Sequence, residues 1–177
     1  MEDYSVKSIT IPNTTREIAN RAYKNCRSLT SVTIPSSVTK IGNEAFAGCT
    51  SLKSITIPSS VTDIGEQAFA GCTGLKSVTL PSAAVIRQYA FMGCIGLSSV
   101  TIPGLNVKVH CRAFNGCTSL ASINFPDPMQ WHPDGVYYSA VSKTNPYSLP
   151  FWVRKATGGA TPSDVAEFFI TATETYC

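Results

Sequence analysis

The sequence predicts a repeat solenoid of about five and a half 23-residue turns, followed by a small α+β C-terminal cap. Three observations carry that prediction. Residues 29–51, LTSVTIPSSVTKIGNEAFAGCTS, return at residues 52–74 as LKSITIPSSVTDIGEQAFAGCTG, an offset of 23 residues with conservative changes only. Looser copies fill residues 6–28, 75–96 (one residue short) and 97–119, and another begins at Leu120 and stops after Pro126. Beyond that point the period is lost, and residues 127–177 hold nine of the seventeen aromatics and both tryptophans. A period of about 20 to 50 residues marks units that cannot bury their apolar face alone and must stack.

The first element is the N-terminal edge. Residues 1–5 are too short to cap the first repeat, and an uncapped strand leaves an open edge. That edge offers self-association, or the chain extends upstream. Met1-Glu2-Asp3 is acidic and lacks the apolar core of a signal peptide, so a trimmed chain or a fragment is expected. The first repeat is also the most basic, with Lys7, Arg16, Arg21, Lys24 and Arg27.

Within each repeat the order of elements is readable from the second copy. Val32 and Ile34 alternate with Ser31 and Thr33, a strand pattern rich in β-branched residues. Pro35 ends the strand because it has no N–H for the ladder. Ser36-Ser37 turns the chain, and Val38 and Ile41 return it to the core. Asn43 reads as an N-cap before a short helical turn over Glu44-Ala45-Phe46-Ala47, closed by Gly48. Phe46 and Cys49 then point inward. Stacking makes ladders of equivalent residues about 4.8 Å apart: Tyr23, Phe46, Phe69, Phe91 and Phe114, and Cys26, Cys49, Cys72, Cys94 and Cys117.

The pattern LxSVTIPxSVTxIGxxAFxGCxS resembles the BspA-type (Treponema-type) leucine-rich repeat over residues 6–126. The resemblance implies a right-handed solenoid with a parallel sheet on one face. Its strands are expected near residues 6–11, 29–34, 52–57, 75–80, 97–102 and 120–125. It also implies a surface-exposed or secreted protein, of a kind that often serves in adhesion. The repeat carries no catalytic residues, so none is transferred to this chain.

Seven cysteines would ordinarily suggest disulfides, but five share one repeat position, where a small apolar side chain fills a core. Spacings of 22 and 23 residues do not suit a metal, and Cys111 and Cys117 make a poor ligand pair. His110 beside Cys111 is repeat variation rather than a nucleophile–base pair. Neither a cofactor nor an enzyme is expected. The formal charge of +3 does not suggest nucleic acid, and no stretch is long enough to span a membrane.

The most regular outward feature is a row of hydroxyls on the strand face. Thr10, Thr33, Thr56, Thr79 and Thr101 recur there, each two residues after a serine, beside a broken line of Lys7, Lys53 and Lys76. Ser and Thr suit an exposed strand face in any case, and neighbouring hydroxyls can bond across strands. The functional reading makes the same row a ligand surface. Variation gathers in one loop per repeat, at Ser82-Ala83-Ala84-Val85 and Gly104-Leu105-Asn106, where Leu105 and Met92 are expected to form a contact patch.

The domain boundary is expected at 126/127. In the tail, Val136 to Val141 reads as a strand. Thr161-Pro162-Ser163-Asp164 opens an amphipathic helix bearing Phe168 and Phe169. These elements suit a cap, while Trp131, Tyr137, Tyr138 and Trp152 could instead form an aromatic contact platform. The function expected is a non-enzymatic binding or adhesion module for a protein or glycan, at the cell surface or outside the cell. The alternative is a structural subunit that assembles through the solenoid ends.

Overall fold

The computed structural model describes residues 5–103, 107–110 and 112–124. Over them the chain coils into stacked turns, and equivalent positions of successive turns lie in register. Six strands form a first parallel sheet: β1 (Ser8–Thr10), β3 (Ser31–Thr33), β5 (Ser54–Thr56), β7 (Ser77–Thr79), β9 (Ser99–Thr101) and β11 (Ser122–Asn124). All pair in sequence order, Ser8 to Ser31 and Thr10 to Thr33 at one end, Ser122 to Ser99 and Asn124 to Thr101 at the other. The parallel solenoid expected from the period is the fold that forms.

Three corrections concern the turns themselves. The strands are three residues long, not six. Single ladder bonds continue on either side: the Ile11 N–H donates to the Thr33 carbonyl (3.0 Å) and the Thr30 N–H to the Lys7 carbonyl (2.8 Å). A second parallel sheet runs along another side of the coil. Its five strands are β2 (Glu17–Ile18), β4 (Lys40–Ile41), β6 (Asp63–Ile64), β8 (Val85–Ile86) and β10 (Lys108–Val109).

The third correction is that the segment from Glu44 to Ala47 forms turns rather than a helix. Glu44 has φ 55° and Gly48 φ 74°, both left-handed, so a right-handed helix cannot pass through them. Its amides alternate between two destinations. Ala45 and Ala47 donate back to the carbonyls of Gly42 and Glu44, whereas Glu44, Phe46 and Gly48 donate to Glu66, Ala68 and Ala70 of the next turn. Asn43 caps between turns rather than within one. Its Oδ1 accepts the Glu66 N–H (2.9 Å), and its own N–H donates to Asn20 Oδ1 (2.8 Å). Stacking supplies a partner for each amide, which an isolated single helical turn cannot do.

The core is one continuous column. Leu29, Ile41, Leu52, Ile64, Leu75 and Leu97 are fully buried in it. Phe46, Phe69, Phe91 and Phe114 are also fully buried, and with Tyr23 they stack at centroid spacings of 5.1–5.3 Å. The one-residue loss in the fourth repeat falls between Pro81 and Val85, which pairs with Asp63, and Ala84 is still buried.

Cys49, Cys72, Cys94 and Cys117 are buried thiols, while Cys26, at the first turn, is half-buried. Each buried thiol donates to a carbonyl of the preceding turn: Cys49 Sγ to Tyr23, Cys72 to Phe46, Cys94 to Phe69 and Cys117 to Phe91, at 3.1–3.2 Å. A cysteine thus fills the core as alanine would and also satisfies a buried carbonyl. Burial pushes the Cys49 thiol up to about 12. The native protein should therefore resist a thiol reagent at Cys49 and Cys72 and become labelled on denaturation, as peptide mass analysis will show. Labelling of native Cys49 as fast as that of the unfolded chain would reject this core. The stabilisation linked to this raised pKa is fully present below the unfolded thiol's pKa of about 8.5 and is lost as pH rises from there toward the folded value.

Candidate binding surface

The two sheets and the run of turns give the coil three sides of different chemistry. On the first sheet the inward residues Val32, Ile55, Val78 and Val100 are buried, and their neighbours in each strand face outward. The pairing places Thr10, Thr33, Thr56, Thr79 and Thr101 in one continuous row. The first four are exposed and Thr101 is half-buried. Serines 8, 31, 54, 77 and 99 form a parallel row in the same face. Lys7, Lys53 and Lys76 are exposed immediately before β1, β5 and β7. Hence the fold brings together all eight strand-face residues singled out in the sequence. Trp131, Tyr137, Tyr138 and Trp152 lie outside the described residues, as do Leu105 and Cys111.

The second sheet presents a ladder of charge that sequence reasoning missed. Lys40 Nζ lies 2.9 Å from Glu17 Oε1, and the hydrogen bond to Glu17 raises the lysine's pKa. Arg87 binds Asp63 with both arms of its guanidinium, at 2.8 and 2.9 Å. On the turn side, Glu44 accepts from Lys24 and Arg21, and these two bonds hold its carboxyl below the usual range. Arg112 donates to the Tyr89 hydroxyl (2.8 Å), and its guanidinium lies over the Tyr89 ring. Partners such as Asp63 and Arg87 are 24 residues apart, so only knowledge of the stacking could have found them. Met92 does not share the variable loop edge. It is half-buried in the turn after Phe91, close in sequence to the exposed Ile95.

Among the described residues no group of three or more His, Cys, Asp or Glu is placed to hold a metal. Nor is any described helix long and apolar enough to cross a membrane.

The family model for the BspA type leucine rich repeat region (6 copies) matches residues 1–104 and 84–150. The chain belongs to the BspA-type leucine-rich repeat family. A solved leucine-rich cell surface protein from Faecalibacterium prausnitzii is 36% identical, with a TM-score of 0.66 over 72% of this chain and 34% of its own. A leucine-rich repeat protein from Eubacterium ventriosum is 29% identical, with a TM-score of 0.62 over 67% of this chain and 32% of its own. The T. pallidum leucine-rich repeat protein is 35% identical, with a TM-score of 0.63 over 66% of this chain and 57% of its own. This BspA-type chain therefore spans about a third of the length of the first two and 57% of the third. No curated protein matches it. Leucine-rich-repeat proteins are in general non-enzymatic binding modules that mediate protein interactions. The BspA-type family is associated with the cell surface.

Proposed function

We propose that this protein is an extracellular or cell-surface adhesion module that binds a protein or glycan through the exposed face of the first sheet. The observation that carries the reading is the in-register row of Thr10, Thr33, Thr56, Thr79 and Thr101. The core does not need these side chains, since the buried residues of the strands are their neighbours. The same hydroxyl chemistry recurs at each strand spacing of about 4.8 Å, which suits an extended ligand more than a compact one. A relative named as a cell surface protein supports the location.

The test is a screen of the intact chain against arrayed glycans and extracellular matrix proteins. Any ligand found is then offered to a Thr33→Glu, Thr56→Glu, Thr79→Glu variant. Exposed substitutions of this kind usually leave stability within about 0.5 kcal/mol each, so circular dichroism should be unchanged while binding is lost. Unchanged affinity excludes the strand face and transfers recognition to the loops or the tail. For residues 127–177 we propose an appendage that closes the last turn, because solenoid ends need covering.

A further inference from the structure

Charge is distributed unevenly around the coil. Four carboxylates fall among the described residues, Glu17, Glu44, Asp63 and Glu66. Glu17 and Asp63 lie on the second sheet, and Glu44 and Glu66 lie in the turns. Those two sides compensate charge from one repeat to the next, through Glu17–Lys40, Asp63–Arg87 and Glu44 with Arg21 and Lys24. The first-sheet side has cations but, among the described residues, no carboxylate. Lys7, Lys53 and Lys76 are exposed there, and Arg27 is exposed at the corner leading into β3. None of the four takes part in an ion pair among the described residues.

Two of these cations are direct neighbours. The Lys76 N–H donates to the Lys53 carbonyl at 3.1 Å, so the lysines occupy adjacent turns. Like charges set opposite one another across paired strands destabilise a sheet. Folding therefore does not account for the pair. The ammonium of Lys76 reaches over the next turn at Gly96, where an added Cβ would come within 3.3 Å of Nζ.

We propose that this face binds a linear anionic polysaccharide, one carrying sulfate or carboxylate groups. Lys53 and Lys76 pair with the anionic groups, and Lys7 and Arg27 extend the track toward the first turn. The hydroxyls of Thr33, Thr56 and Thr79, each both donor and acceptor, bond the sugar hydroxyls between them. Other ligand classes fit less well. Nucleic-acid bases are held largely by stacking on aromatic side chains. The aromatics of the described residues, Tyr23, Phe46, Phe69, Tyr89, Phe91 and Phe114, all belong to the turn side. Tight protein interfaces centre on large anchors in pockets, whereas among the described residues this face offers serines, threonines, lysines and Arg27 at its corner, with no pocketed aromatic. A repeating acidic polymer matches a surface that repeats its own hydroxyls and cations.

The proposal rests on the strand-face reading above, and its test separates the two. The full chain is titrated onto immobilised dextran sulfate, with dextran as the uncharged form of the same polymer. Binding to dextran sulfate alone is expected, weakening with salt because exposed charges are screened. Lys53→Gln with Lys76→Gln should lower affinity at least tenfold, and Lys40→Gln on the second sheet should not. Equal affinity of the double variant overturns the proposal. So does equal competition by polyglutamate or single-stranded DNA, which would reveal plain ion exchange. If dextran sulfate is not retained but the threonine variant loses another arrayed ligand, the anionic class falls and the strand-face reading stands. If neither set of substitutions affects any binding, both fall.

Discussion

Phe69→Ala will lower the unfolding free energy by about 3–5 kcal/mol, the range for removing a fully packed aromatic ring. Phe69 is fully buried and stacks on Phe46 at 5.3 Å and on Phe91 at 5.1 Å. Its loss opens a cavity that neither neighbour can fill without leaving its own stack. The damage falls in the middle of the column, where each turn relies on the next for its buried surface. Urea denaturation followed by circular dichroism measures the change. Tyr23→Ala serves as the control, because Tyr23 is half-buried at the end of the ladder and should cost less. Equal losses at the two positions would reject the column as the source of stability.

Gly65→Ala is expected to be a strongly damaging single-methyl change in the described turns. An added Cβ would stand 2.6 Å from Asn43 Oδ1 and 2.7 Å from both Asn43 N and Gly42 C. Two of those atoms are backbone, so the turns themselves must part. Overpacking of this kind costs about 1–3 kcal/mol or more. The bond from Glu66 N–H to Asn43 Oδ1 lies in the same gap, and losing it adds about 1 kcal/mol. Gly71 provides a contrast. A Cβ there meets nothing closer than 3.9 Å, and only its φ of +69° resists substitution. Gly71→Ala should therefore cost about 1–2 kcal/mol, the left-handed penalty alone. Gly71→Asn should be milder, since Asn25 holds the equivalent position at φ 62°. Thermal melts of the three variants give the ranking.

The first sheet was legible because Ser31, Val32 and Thr33 show the period of two, and the repeat fixes the register. The phenylalanine and cysteine ladders were legible for the same reason. The second sheet was not. A strand as short as Lys40–Ile41 leaves no alternating run to detect. The expected helix failed on a local likeness: Asn43-Glu44-Ala45-Phe46-Ala47 has the composition of a capped helical turn. Its amides nevertheless find better partners in the neighbouring repeat, and nothing in a glutamate announces a left-handed φ. The hydroxyl row and its lysines were visible as residues. That no carboxylate among the described residues lies beside them became visible only when the bridges on the other two sides were located.

One feature of the turns gives the coil a direction. Between repeats the amide-to-carbonyl bonds of the turns point one way: Arg21, Tyr23 and Asn25 donate to Asn43, Ala45 and Ala47, and Phe69 and Gly71 to Ala90 and Met92. Each such peptide carries a dipole of roughly 3.5 D, and on this side the dipoles add along the axis. On this side carbonyls face the first repeat and N–H groups the last, so the run of turns is electrically polar, against the opposite run beside the second sheet, where Gly42, Gly65 and Arg87 donate to Ile18, Ile41 and Ile64 of the preceding turn.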